Sequence, residues 1–205
     1  MLQRENVIRI VALSLVLCTA TLACAQTASP SKPQTKLSEH PEWPKARPGD
    51  VDTIEDTVRA FYRAISAPAG GTLDRERLHS LFVSDARIVV GLPARGERAA
   101  DVIFMTVDEY ADRSHAATAA KGFFDRNVAN HTQRFGVMAQ VYSTYESRSR
   151  PEDKSAMARG IKSFELLNSA GRWYIVEVYW DSERPDNPLP ERYLHDHADG
   201  AGEPR

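Results

Sequence analysis

Apolar residues recur at helical spacing where the ordered part of the chain begins. The stripe starts after Asp52, which together with Glu55 has the pattern of a capping box, and its members are Ile54, Val58, Phe61, Tyr62 and Ile65. Pro68 and the glycines that follow Ala69 end this helix. A second, shorter helix is predicted from Asp74, with an inner face of Leu78, Leu81 and Phe82. Two amphipathic helices therefore open the domain.

The apolar period changes from helix to strand further along the chain. Residues 86–90 predict a short strand, and Thr106 with Glu109 marks the start of a third helix that runs to Gly122. Four longer segments then alternate at strand period: residues 123–135, 137–148, 158–167 and 172–181. This order predicts an α+β fold, in which three N-terminal helices pack on a strongly curved, mainly antiparallel sheet with a pocket between the two layers.

The first 25 residues have the pattern of a secretory signal peptide. Arg4 and Arg9 precede an apolar stretch that is too short and too interrupted for a membrane span of about 20 residues. Ala23-Cys24-Ala25 then fits the small-residue pattern of a cleavage site. We expect cleavage before Gln26 and a periplasmic or secreted mature chain with no stable membrane span. Lipid attachment at Cys24 is the alternative, although Thr21 stands where a lipobox has leucine.

Segments of low hydrophobicity flank the predicted domain. Residues 26–50 are rich in proline and polar side chains, which cannot bury enough apolar surface to fold, so a disordered linker is predicted. The domain then covers residues 51–194. Residues 195–205 are predicted to form a loose polar tail.

Composition and charge argue against several classes of function. A net charge of −2 over 205 residues does not suit dedicated nucleic-acid binding, which needs an excess of basic residues. Both cysteines, Cys18 and Cys24, lie in the signal peptide, so the mature chain has no disulfide, thiol nucleophile or cysteine-bound metal. His195 and His197 lack a third placed ligand, so no metal site is predicted. The sequence has neither a P-loop nor a G-x-G-x-x-G segment, and no cofactor is predicted.

Three segments resemble the nuclear transport factor 2-like (SnoaL-like) superfamily. They are the opening helix at 54–62, the step Leu81-Phe82-Val83-Ser84-Asp85-Ala86 into the first strand, and the closing strand Gly171-Arg172-Trp173-Tyr174-Ile175-Val176 with Tyr179-Trp180-Asp181 after it. The resemblance implies a cone-shaped roll that holds a small, mostly apolar molecule and forms a homodimer through its sheet. It implies no single activity, and it assigns no catalytic residue.

The last predicted strand carries the candidate acid–base residues. Strict alternation would place Trp173, Ile175, Glu177, Tyr179 and Asp181 on one face. Glu177 between apolar neighbours fits a carboxyl group held in a low-dielectric cavity, which suits a general acid or base, with Asp181 as a second candidate. The alternative is an ion pair between Glu177 and a cross-strand Arg or Lys. Tyr179 and Trp173 are candidates for contact with a ligand.

Further candidates lie on other predicted elements. His131, on the polar segment 123–135, could exchange a proton near neutral pH, and a solvated strand or dimer interface is the alternative. Arg159 could hold a ligand carboxylate by two hydrogen bonds, or it could pair with a neighbouring acid. Phe61 and Tyr62 would line the pocket from the first helix, or they would fill the core.

Three functions are compatible with this pattern. The favoured one is an exported domain that binds a small hydrophobic or mixed-polarity molecule in an apolar pocket. The second is a lyase or isomerase that needs no cofactor and moves a proton with Glu177, His131 or Asp181. The third is an interaction module that dimerises through its sheet and has no usable pocket. Catalysis stays open at this point, because no motif in the sequence requires it.

Overall fold

The computed structural model describes residue 37, residues 44–118 and residues 120–198. The predicted signal peptide, residues 26–36 and 38–43 of the predicted linker, and residues 199–205 of the predicted tail lie outside this range. Within the described part of the chain, no helix combines the length and the apolar character needed to cross a membrane.

Helix α1 spans Ile54–Ile65, and its N-cap is Thr53. The Thr53 hydroxyl accepts a hydrogen bond from the backbone N–H of Asp56 at 3.0 Å and donates one to the Asp56 carboxylate at 2.8 Å. The sequence pattern assigned the capping role to Asp52, which is wrong because the first free amide within side-chain reach belongs to Asp56, three residues after Thr53. The predicted apolar stripe is confirmed, since each of its members is buried.

Helices α2 and α3 begin at the predicted caps. Helix α2 spans Arg75–Leu81, and the Asp74 carboxylate accepts a hydrogen bond from the backbone N–H of Arg77. Helix α3 spans Val107–Thr118. The Glu109 carboxylate accepts from the Thr106 N–H at 2.7 Å, and the Thr106 hydroxyl accepts from the Glu109 N–H at 3.2 Å, which completes the capping box.

Seven strands of the described residues form one sheet in the order β2-β1-β6-β5-β4-β3-β7. Their bounds are Phe82–Leu92 (β1), Asp101–Met105 (β2), Phe124–Phe135 (β3), Met138–Arg148 (β4), Ala158–Ser169 (β5), Arg172–Ser182 (β6) and His197–Ala198 (β7). Neighbouring strands are antiparallel except in the pairs β1–β6 and β3–β7, which are parallel. The α+β class and the mainly antiparallel pairing are confirmed.

The predicted arrangement of three N-terminal helices on the sheet is matched in part, because one short strand was expected before the third helix and the structure has two strands there. Helices α1 and α2 do precede the sheet, but α3 follows the hairpin of β1 and β2 and carries the chain from that edge of the sheet to β3 on the other side. Strand β2 was missed because Val102, Ile103 and Phe104 form a short apolar run without alternation, which does not distinguish a strand from a loop.

The helices cover one face of the sheet, here called the helix-covered face, and the opposite face is called the open face. Side chains on the helix-covered face pack against Phe61 of α1 to form the core. Fully buried members of this core are Phe82, Ile88, Val141, Phe164, Ile175 and Val178. The core therefore lies between the helices and the sheet, where the sequence placed a pocket.

A β-bulge in β6 changes which side chains reach the core. Leu166 of β5 pairs with Ile175, whereas the preceding Glu165 pairs with Glu177, so Val176 is an extra residue in the ladder. Beyond this point the phase of β6 inverts, and Val178 joins the helix-covered face. The strict alternation predicted for this strand is wrong after Ile175, and Glu177 lies on the open face.

Residues 183–198, here called the tail segment, return across the open face after β6. The backbone N–H of Glu183 donates to the Arg159 carbonyl at 2.7 Å, and the Thr144 hydroxyl donates to the Tyr193 carbonyl. The Asn130 N–H donates to the Asp196 carboxylate at 2.7 Å, and β7 then pairs with β3. The tail segment thus contacts β5, β4 and β3 in turn.

Candidate functional site

A cavity of about 520 Å³ lies on the open face, between β1, β2, β5 and β6 and the first half of the tail segment. It is here called the open-face cavity. Its apolar wall comes from Val89, Leu92, Val102, Ile161, Pro188 and Leu189. A volume of this size is typical of sites that enclose a small organic molecule.

Tyrosine hydroxyls supply polar groups to this wall. Tyr142 of β4 and Tyr179 of β6 line the open-face cavity, and their side chains are close enough to interact. Burial, together with Tyr179, raises the pKa of Tyr142, so the Tyr142 phenol stays neutral at physiological pH. Phenol hydroxyls beside an apolar wall can donate a hydrogen bond to a carbonyl group of a ligand, and they can donate to or accept from a ligand hydroxyl group.

The charged side chains at the tail end of the cavity are paired. The Arg184 guanidinium donates to both carboxylate oxygens of Asp181 at 2.8 Å, and the Asn187 amide donates to one of them at 3.3 Å. The Glu183 carboxylate accepts from the Leu189 N–H at 3.2 Å and lies 3.4 Å from the Arg159 guanidinium. This corner therefore presents neutral ion pairs rather than a carboxylate free to transfer a proton.

The candidate site residues of β5 and β6 that lie on the open face occupy three different positions. Tyr179 and Asp181 line the open-face cavity together. Glu177 lies outside it, opposite Glu165 of β5 and in register with Arg87 of β1. Arg159 contacts acids, with its guanidinium 3.7 Å from Glu146 and 3.4 Å from Glu183, as one of the two interpretations of its role expected.

His131 lies on the open face under the tail segment. Its ring packs edge-on against the Tyr193 ring, with 4.9 Å between centroids, and the His197 ring lies 5.5 Å away. His131 does not line the open-face cavity. The three candidate acid–base residues, Glu177, His131 and Asp181, are therefore not brought together at one site.

The remaining candidates are core side chains. Phe61 is fully buried and packs edge-on against the rings of Phe82 and Phe164. The Tyr62 hydroxyl forms a hydrogen bond of 2.8 Å with the Ser143 hydroxyl inside the core. Trp173 is 4% exposed, and the Arg134 guanidinium lies over its indole ring, 5.2 Å from the ring centroid. These side chains lie in the core on the helix-covered side, so the sheet separates them from the open-face cavity.

A buried ion pair occupies the space between the helices and the sheet. Lys162 Nζ lies 2.9 Å from a carboxylate oxygen of Asp125 and 3.2 Å from the centroid of the Tyr145 ring. Burial lowers the pKa of Lys162, while the negative charge of Asp125 opposes that shift. Burial also raises the pKa of Tyr145 to about 12. The Ser147 hydroxyl donates to the other oxygen of Asp125.

The sequence contains a signal for this buried pair. Lys162 shares its strand phase with Phe164 and Leu166, so alternation alone places a lysine on the buried face of β5. Gly160, two residues earlier, makes room for the Tyr145 ring, because a Cβ there would lie 2.8 Å from a carbon of that ring. A buried lysine needs a carboxylate partner, but which acid serves is decided by the register of β3.

No profile of a known protein family matches the sequence, and no curated protein matches it. Similar solved structures include NTF2-like proteins from Silicibacter pomeroyi (18% identity, covering 73% of this chain and 100% of that chain, TM-score 0.43) and Methylobacillus flagellatus (17%, 64% and 95%, TM-score 0.41). Another is a protein with a cystatin-like fold from Caulobacter vibrioides (15%, 66% and 90%, TM-score 0.46). The first two carry the description of the superfamily that the sequence motifs resemble. At these identities the likeness concerns the fold alone, so no residue role is taken from these proteins.

Proposed function

We propose that the domain binds a small, mostly apolar molecule in the open-face cavity. The observation that carries this proposal is the combination of an apolar wall with the hydroxyl groups of Tyr142 and Tyr179 in a volume of about 520 Å³. The ligand would bury its apolar body against β1, β2 and Leu189. A carbonyl or hydroxyl group of the ligand would meet the tyrosine hydroxyls.

Binding is favoured over catalysis by the state of the carboxylates in the cavity. Asp181 is held by Arg184 and Asn187, and Glu183 is held by Arg159 and the Leu189 amide. A general base must be within reach of its proton and free to take it, and both carboxylates already accept hydrogen bonds. The lyase or isomerase hypothesis stays a prediction, with no group in this cavity that specifically supports it.

A thermal-shift screen against small apolar carbonyl and hydroxyl compounds tests the proposal, because a ligand that binds the native state raises the unfolding temperature. For a compound that binds, Tyr179→Ala should weaken binding by about tenfold or more through loss of ring contact and a hydrogen bond. Tyr174→Ala is the matched control: Tyr174 is on the open face of the same strand but outside the cavity. Equal affinities of the wild type and Tyr179→Ala would contradict the proposal.

A homodimer through the sheet is a second candidate, favoured by exposed apolar side chains at the other end of the open face. Phe135, Met138 and Leu167 are 82%, 53% and 38% exposed, and they line a groove of about 430 Å³ with Val176. Contiguous exposed apolar surface of this kind marks interaction sites. Light scattering at increasing concentration should show a dimer that Phe135→Asp abolishes. Phe104→Asp, a change at another exposed phenylalanine, should leave the dimer intact.

We also propose that the domain acts outside the cytoplasm. The support is the basic start, apolar stretch and Ala-x-Ala pattern of the first 25 residues. The mature chain would then be periplasmic or secreted, with attachment through Cys24 as the alternative.

A further inference from the structure

The floor of the open-face cavity contains a position without a side chain. Gly91 of β1 lines the cavity, in register with Val102 of β2 on one side and next to Asp181 of β6 on the other. Val89, the preceding residue of β1 on the same face, is buried and lines the same wall. The row of side chains that crosses the open face from β2 to β6 is therefore interrupted at Gly91.

Neither backbone conformation nor packing accounts for glycine at this position. Gly91 is not among the glycines with a positive φ, the region that favours glycine. A Cβ at position 91 would meet the Trp180 carbonyl oxygen at 3.2 Å, a contact that β6 relieves by moving a few tenths of an ångström. At Gly160, by contrast, a Cβ would overlap the Asp181 carbonyl oxygen, so packing alone requires glycine there. A glycine within a strand costs stability and often marks a place that a ligand approaches closely.

The gap over Gly91 has the width of a single layer of atoms. On the β6 side, Asp181 Cγ lies 3.9 Å from the point that a Cβ of residue 91 would occupy. On the β2 side, the Cβ of a directly opposite residue lies about 4.5–5.5 Å away, so Val102 and Asp181 are at most about 9 Å apart across the gap. One layer of carbon atoms in contact with both sides needs about 7–8 Å. A flat ring therefore fits edge-on, and a cage several atoms thick does not.

The β6 wall of the gap is fixed in place. Arg184 donates to both carboxylate oxygens of Asp181 at 2.8 Å, and the Asn187 amide donates to one of them at 3.3 Å. Tyr179, two residues earlier on β6, is in register with Val89 and supplies a hydroxyl group next to the gap. A ring in the gap would thus have a rigid wall along one face and a hydrogen-bonding group beyond its edge.

We propose that Gly91 determines the specificity of the open-face cavity, and that the ligand carries a planar aromatic ring whose edge lies on Gly91 between Val102 and Asp181. This inference rests on the proposed function, because it concerns the same cavity. It adds the shape of the ligand and the residue that selects it.

Two probes that share a hydroxyethyl chain test the shape of the gap. They are 2-(indol-3-yl)ethanol, whose ring system is planar, and 2-(1-adamantyl)ethanol, whose ring system is a globular cage. Calorimetric titration of the purified chain measures both affinities. We expect the indole compound to bind more tightly by about tenfold or more, because only its ring system enters the gap.

Gly91→Val tests the residue that forms the gap. Its branched side chain would occupy the space over β1 and should weaken binding of the indole compound by about tenfold or more. Ser84→Val is the matched control, since it adds the same side chain at an exposed position of β1 outside the cavity, and it should change the affinity by less than about twofold. If Gly91→Val does not fold, Val102→Phe fills the gap from β2, at a side chain that is 48% exposed, and should weaken binding in the same way.

The outcomes separate this inference from the proposed function. Equal or tighter binding of the adamantyl compound, or wild-type affinity of a folded Gly91→Val protein for the indole compound, would overturn the inference. The proposed function would stand in either case if Tyr179→Ala still weakens binding. Failure of the wild type to bind either compound up to about 10 mM would contradict both.

Discussion

At the scale of single residues, the core of this protein contains an ion pair between Lys162 and Asp125. Lys162 and Asp125 are 3% and 6% exposed, and the rings of Tyr62, Tyr145 and Trp180 surround the ammonium group. Removing two charges from water costs several kcal/mol each, and their mutual attraction repays this only while both are present. The pair is therefore a point at which a single substitution has a large effect and a double substitution a small one.

Lys162→Met should lower the free energy of unfolding by about 3–5 kcal/mol, because Asp125 is left buried without its cation. The double variant Lys162→Met with Asp125→Leu should regain most of this loss. Urea denaturation measures both. Arg150→Ala, which removes the pairs of a 70% exposed arginine side chain with Glu152 and Asp153, should change stability by less than about 1 kcal/mol. A Lys162→Met protein as stable as the wild type would contradict this account of the core.

Asp50 couples stability to acid. Burial raises the pKa of Asp50, but hydrogen bonds and charge from Arg77, at 2.6 and 2.7 Å, and from Arg63, at 3.2 Å, outweigh burial and hold this pKa below its ordinary value of 3.8. A lowered folded-state pKa means that the stabilisation is fully present above pH 3.8 and is lost as the pH falls through the folded-state value.

Asp50→Asn should therefore be less stable than the wild type at neutral pH by about 1.5–3 kcal/mol, with the difference shrinking as the pH falls below the ordinary pKa of Asp50. Chemical denaturation at a series of pH values between neutrality and strong acid measures this. Asp186→Asn, at a carboxylate that is 80% exposed, should follow the wild-type profile. A stability difference independent of pH would show that Asp50 acts by packing rather than by charge.

At the scale of elements, local sequence defines where each helix begins, and the exact residue depends on which side chain reaches a free amide. The N-cap of α1 is Thr53, one residue after the Asp52 that the pattern suggested. Strand β6 is the contrasting case, because the Val176 bulge arises from pairing with β5, which no local pattern records.

Thr53→Ala should destabilise the protein by about 1 kcal/mol, since the Asp56 amide loses its acceptor. Asp52→Ala, one position earlier, should cost less than about 0.5 kcal/mol because Asp52 does not cap the helix. Thermal unfolding of the two variants side by side makes the comparison. A larger loss of stability from Asp52→Ala than from Thr53→Ala would show that Asp52, and not Thr53, caps α1.

At the scale of the whole molecule, one face of the sheet carries the core and the other carries the candidate sites. Helix α3 crosses between sheet edges after β2, and the tail segment returns over the open face to pair with β3. The open-face cavity has the first half of the tail segment as a wall. Residues that follow the last long strand thus take part in forming it.

Processing of the N-terminus is a prediction about the whole chain. When the full sequence is expressed in a bacterial host, the exported protein should begin at Gln26, and the measured mass of the intact chain should show this directly. Cys24→Ser should leave both export and mass of the mature chain unchanged. A mature chain that begins at Cys24 with the added mass of a lipid would instead establish the lipoprotein alternative.

The positions of the candidate residues depend only in part on local sequence. Tyr179 and Asp181 were named, and they lie together in the open-face cavity, but they were assigned to the same face as Trp173. Glu177 was singled out for apolar neighbours, which is correct along the chain, yet the bulge turns it away from the core. The tail segment was considered only for a metal site at His195 and His197 and as a loose polar tail, because its partners on β3 and β4 are distant in sequence.

The sequence by itself determined the helices α1 and α2, the four long strands and the α+β class, because hydrophobic period and capping are properties of neighbouring residues. Only the tertiary structure decided the register of β5 against β6, the path of the tail segment and the partner of Lys162. Each of these depends on contacts between residues far apart in the chain. A shift of one residue in such a contact exchanges the two faces of a strand, and with them the side chains that meet solvent, core or ligand.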